Sequence, residues 1–312
     1  MTPDREPIDV ASHGEVAPPQ EPIPQMDPYP NAGGALFAHI PRSVPHLGHT
    51  AIFAAIVVIA MIGVMLAVGI GGTLHVFGTP SFEKIQKNPM VVVPTMGVAY
   101  LLVWAVSWFF FPLMWFRPFL DGISWNRGVA SRRWALLLAI GLGLGLLVQF
   151  LSNFLPIPKT LPIDDFFKTR ASVWIVTVFG ILFAPAFEEL AFRGFLLPSL
   201  ATAWDWLAHR IQQQPQRRID PVSGQAQWSP AAMIFAAIAT SIPFALLHAE
   251  QLAHAFAPLA VLFGVSLVLC IVRFRTSSLA ASILVHASYN LSIFGTLFLA
   301  TNGFRNLDKL HG

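Results

Sequence analysis

Charge is what this sequence has least of. Only 11% of its 312 residues are Asp, Glu, Lys or Arg, where a soluble domain carries roughly 25%. With 55% hydrophobic residues and a mean hydropathy of +0.62, there is too little polar surface to cover a water-soluble core, and lipid is the better solvent. Cysteine is nearly absent: Cys270, inside an apolar run, is the single one, which excludes an internal disulfide framework. Basic clusters are missing too. The formal charge of +3 comes without a basic run or aromatic–basic interleaving, which argues against a nucleic-acid partner. There is also no early apolar run. The first begins near Ala51, too late and too long for the core of a cleaved signal, so an uncleaved anchor is expected.

What is present are long apolar stretches. A spanning helix needs about 20 residues, and such segments fall near 51–77, 91–116, 134–155, 172–199, 231–249, 256–272 and 278–300. The expected fold is therefore an all-α polytopic transmembrane helical bundle of seven to eight spans, the eighth element hidden in the long fourth segment or in 78–90. Residues 1–49 hold ten prolines with scattered acids, the composition of a disordered N-terminal tail. The organisation reads as that tail, N-terminal transmembrane helices over 50–170, a core over 171–302 interrupted by a polar loop at 201–230, and a C-terminal tail at 303–312. The loop carries Gln212, Arg217, Arg218, Pro221 and Gly224, with a short amphipathic start at Trp204–Leu207. Arg273 to Ser277 reads as a tight turn between the last two spans.

Lys and Arg favour the tail side of the membrane. Arg117, Arg127, Arg132 and Arg133 follow the second span, and Arg210, Arg217 and Arg218 follow the fourth. The excess predicts a cytoplasmic N-terminus in the cell membrane. In the third span Gly141, Gly143 and Gly145 put small residues at i and i+4, a spacing that lets helices approach closely or reflects ordinary glycine enrichment.

Ionisable groups inside spans are costly and by default suggest function. The fourth segment contains Glu188, Glu189 and Arg193. Glu189 and Arg193 stand at i and i+4 and can pair on one face. Glu188 projects about 100° away without a local cation, which suits a general base near neutral pH. The fifth span ends in Phe244 and His248, and the seventh holds His286 and Asn290, again i and i+4. Glu250, His254 and Asn153 read as interfacial. From three helices, one Glu, two His and an Asn can converge on a water or on a metal with its water. Pro243 can kink the fifth helix so that His248, near its end, reaches the others.

The order Glu188-Glu189-x-x-x-Arg193, Phe244-x-x-x-His248, His286-x-x-x-Asn290, on separate apolar helices over about 172–300, resembles the three motifs of the CAAX prenyl protease and bacteriocin-processing (Abi) family. The resemblance implies an intramembrane endopeptidase acting on a membrane-associated peptide or protein. Glu188 would activate water, His248 assist it, and His286 and Asn290 complete the water or oxyanion site. Glu189, Arg193 and Phe244 would support them. The family has been described both as metalloproteases and as glutamate-dependent enzymes. A divalent metal such as zinc, through His248 and His286, is one implication, although the HExxH pattern is absent. A proton-coupled transporter and a non-catalytic adaptor or immunity protein are the rival readings, for which Glu188→Gln discriminates.

Overall fold

A computed structural model describes residues 45–76, 85, 87–156, 158, 161–212 and 228–310. Among these the chain is all-helical. Seven principal helices are α1 (Leu47–Thr73), α2 (Pro89–Trp115), α3 (Trp134–Ser152), α4 (Arg170–Ile211), α5 (Pro230–Leu246), α6 (Phe256–Thr276) and α7 (Leu279–Ala300). Six of them are long and apolar enough to cross a bilayer, and α5 is a shorter apolar helix. This is an integral membrane protein. Its outer apolar side chains, such as Ile59, Leu66, Phe109 and Leu113, are exposed as lipid-facing residues would be.

Polar N-caps start the helices where the sequence offers them. Asn88, Thr169, Ser229 and Ser278 each accept from a backbone N–H of the first turn, at 3.0–3.1 Å, satisfying one donor that a helix start leaves open. Helix α4 is the centre of the bundle and touches α1, α2, α5 and α7. Helix α7 runs against α4 and packs most closely on α3. The glycines explain that last contact. A Cβ on Gly141 would overlap the Val285 carbonyl oxygen, and one on Gly145 would overlap Ser292 Oγ and sit 2.8 Å from the Tyr289 oxygen. Gly143 faces open space. The small residues at 141 and 145 therefore set the α3–α7 distance.

Three boundaries differ from the sequence reading. The polar loop expected from 201 begins later, because α4 continues as helix Leu197–Gln212. Asp205 on that extension accepts from Ser229 N at 3.2 Å and Ser229 Oγ at 2.5 Å, tying it to the start of α5. Arg273, expected in a turn, is instead buried in the last turns of α6. The N-terminal tail lies outside the described residues up to 44, and residues 47–49 already open α1. Most of the 78–90 segment also lies outside them, and the fourth segment is a single interrupted helix.

Candidate active site

Helix α4 carries the first motif, and it is not a regular α-helix. Two π-helical stretches, Phe179–Phe183 and Leu190–Leu196, flank the α-helical Ala184–Glu189. In each, the closing N–H bonds five residues back: Ala184 to Phe179 and Leu197 to Phe192. In this register the next donors would be residues 185 and 198. Both are proline and have no N–H. The carbonyls left open are those of Gly180 and Arg193, and a side chain from another helix fills each place. Asn290 Nδ2 of α7 donates to the Gly180 oxygen at 2.6 Å. Arg273 Nε of α6 donates to the Arg193 oxygen at 3.3 Å. The Phe195 carbonyl also accepts, from Thr50 Oγ1 of α1 at 3.1 Å and from Ser199 Oγ at 2.7 Å. A bulged helix in lipid must have its freed carbonyls satisfied within the protein, and here α1, α6 and α7 supply the donors.

The two adjacent carboxylates have opposite environments. Glu189 is fully buried. It accepts from Arg193 Nη1 at 3.0 Å, from His286 Nδ1 at 2.9 Å and from Ser282 Oγ. Arg193, also fully buried, extends from Glu189 to α6, where Nη2 donates to the Ser266 oxygen at 3.0 Å and its hydroxyl at 2.6 Å. The guanidinium lies 4.6 Å from the centre of the Phe244 ring, a cation–π contact. The expected i, i+4 pair is therefore present and extended by two serines that the sequence reading missed. Ser266 and Ser282 lie among apolar neighbours on α6 and α7, and a lone serine in a span carries little signal.

Glu188 sits on the other side, with 19% of its side chain exposed, and its Oε2 lies 3.8 Å from His286 Nε2. That gap is too long for a direct hydrogen bond and suits a shared water. Because a carboxylate only accepts, the bond to Glu189 requires the proton on His286 Nδ1, which leaves Nε2 toward Glu188.

His248 lies in the turn beyond the end of α5, half-buried, and its Nδ1 bonds the Phe244 carbonyl at 2.9 Å. A carbonyl can only accept, so the free nitrogen is again Nε2. The Phe244 ring stands between the two imidazoles, with centroids 5.3 Å from His248 and 5.9 Å from His286. Helix α5 has 17 residues and ends two residues after Phe244, which packs on Arg193 and His286. Among the described residues His248 makes no hydrogen bond to Glu188 or His286. Glu250 and His254 form an exposed pair at 3.2 Å, and Asn153 bonds the Gln149 and Phe150 carbonyls at the end of α3. None of the three belongs to the cluster.

Both histidines present Nε2, as ligands would, but among the described residues no three His, Cys, Asp or Glu side chains stand together closely enough to hold an ion. This arrangement does not fit a zinc ligand set of three protein groups.

Comparison with known proteins agrees with the motifs. Residues 170–292 match the family model described as type II CAAX prenyl endopeptidase Rce1-like. The match starts with α4, covers all three motifs and leaves α1 to α3 outside. Neither curated proteins nor solved structures give a match.

Proposed function

We propose that this protein is an intramembrane endopeptidase in which Glu188 activates water against a peptide carbonyl, a reading supported by the match of residues 170–292 to the Rce1-like type II CAAX prenyl endopeptidase family model. The observation that carries the reading is the division of labour between the carboxylates. Glu189 is saturated with donors and holds His286 by Nδ1, while Glu188 is accessible and faces Nε2. A water touching both Glu188 and His286 gives its proton to Glu188, and the hydroxide adds to the carbonyl carbon. The oxyanion is met by the amide N–H that Asn290 does not use on Gly180, while His286, held through Nδ1 by Glu189, keeps Nε2 for the water. Glu188 then returns the proton to the amide nitrogen as the C–N bond breaks. His248, across the Phe244 ring, turns Nε2 toward the water or the substrate.

The substrate is a membrane-associated chain, of CAAX or leader-peptide type. The protein sits in the cell membrane with a cytoplasmic N-terminus, as the Lys and Arg bias favours. The test is turnover of farnesylated and unmodified reporter peptides by purified protein in vesicles. Wild type cleaves. Glu188→Gln keeps its melting temperature and loses roughly 10²–10⁴-fold, the usual share of general-base catalysis. Normal turnover by Glu188→Gln contradicts the proposal.

A further inference from the structure

We infer that Arg273, outside the three motifs, is a positioning residue for the carboxylate pair: it stands in for the N–H that Pro198 lacks and holds the π-helical turn of α4. The inference rests on the endopeptidase reading above.

Arg273 is only 4% exposed and, among the described residues, has no carboxylate within ion-pair distance. Its contacts are two backbone carbonyls, Arg193 at 3.3 Å through Nε and Ile123 at 3.4 Å through Nη2. Burying a guanidinium for ordinary packing makes little sense when a methionine would fill the space. The choice of acceptor gives it a purpose. Residue 198 is the one that a π register would pair with the Arg193 carbonyl, and it is proline. Asn290 solves the same problem for Pro185 and Gly180. Arg273 thus occupies at one end of the Glu188–Glu189 segment the place that Asn290 occupies at the other. If the Arg193 carbonyl lost its donor, the turn could relax toward α-helical register. Arg193 would then rotate away from Glu189 and Ser266, and the hold of Glu189 on His286 would loosen. Arg273 touches no reacting atom and acts through the backbone of Arg193.

The test is a double-mutant cycle on peptide turnover, with Arg273→Gln, Pro198→Ala and their combination. Melting temperature is followed for each, and the exposed Arg275→Gln serves as control. Arg273→Gln should lower kcat by roughly tenfold or more, as small misplacements of catalytic groups do, with KM within about twofold. Arg273→Lys, able to reach one carbonyl, should recover part of the loss. Pro198→Ala gives residue 198 its own N–H, so in that background Arg273→Gln should cost clearly less than in wild type. An equal cost in both backgrounds, or unchanged kcat in both Arg273 variants, overturns the inference. If Arg273→Gln cannot be purified folded, the cycle is run with Arg273→Lys on the same criterion. Glu188→Gln in the same assay separates the two claims. If it is inert while the Arg273 variants are normal, only the positioning role fails. If it is active, the endopeptidase reading fails.

Discussion

Arg193→Ala removes the guanidinium paired with the fully buried Glu189 carboxylate. The guanidinium makes three hydrogen bonds, to Glu189, the Ser266 carbonyl and the Ser266 hydroxyl, and stacks on Phe244 at 4.6 Å. Breaking a buried ion pair from one side costs about 3–5 kcal/mol, because the remaining charge stays out of water. Glu189 keeps two donors, His286 and Ser282, which moves the electrostatic loss toward the lower figure. The emptied volume and the orphaned Ser266 hydroxyl move the total back up. With a shift of roughly 2–4 °C per kcal/mol for a folded unit of this size, melting should fall on the order of 10 °C. Arg193→Lys keeps the charge, but an ammonium cannot span Glu189 and Ser266 together, so its shift should be smaller. The assay is thermal unfolding in detergent, followed by tryptophan fluorescence and by loss of monodisperse protein. If Arg193→Ala melts within about 2 °C of wild type, the buried clasp is not holding α4 to α6, and the account of Glu189 goes with it.

Four further outcomes are expected. Gly145→Val should push α7 from α3, since its side chain would meet Ser292 and the Tyr289 carbonyl; turnover should fall at least about tenfold, as a displaced catalytic group predicts, while Gly143→Ala, facing open space, is silent. Asn290→Ala leaves the Gly180 carbonyl without its donor and should lower both melting temperature and kcat, with stability reduced by about 1–3 kcal/mol. Turnover should survive dialysis against a strong chelator, because among the described residues the acidic and histidine side chains do not gather as a three-ligand set; loss on chelation with recovery on adding zinc would reverse that. A single cysteine placed in the N-terminal tail of a Cys270→Ala protein should resist an impermeant thiol reagent in intact cells, and labelling from outside would place the tail on the other face.

Much of this could be read from residue types and spacing. Spans of lipid length announce themselves by composition, and the i, i+4 pairing of Glu189 with Arg193 follows from helix geometry alone. The unequal surroundings of Glu188 and Glu189 were also visible, since only Glu189 has a cation in reach on its own helix. Depth was harder to read. His248 stands near a helix end in the sequence, and its link to His286 runs through the Phe244 ring, which contacts both imidazoles. The register of α4 was hidden as well. Pro185 and Pro198 were plain in the sequence, but that they would leave Gly180 and Arg193 open depends on a π register that periodicity does not reveal. For the same reason Arg273 read as a turn residue: a basic residue near the end of an apolar run looks interfacial until its acceptor is known. The glycines of α3 had two readings, and the choice rested on which helix lay opposite.

As proposed above, Glu188 and His286 work as one water-activating unit held in place by Glu189. It is tested most directly by single-turnover cleavage of a reporter peptide by Glu188→Gln, His286→Ala and the double variant, all shown to be folded. Each single variant should lose roughly 10²–10⁴-fold, and the double variant should be hardly slower than the worse of the two, as residues acting together are non-additive. If the two losses multiply, or if Glu188→Gln cleaves at near the wild-type rate while Glu189→Gln is inert, the assignment of the base is wrong.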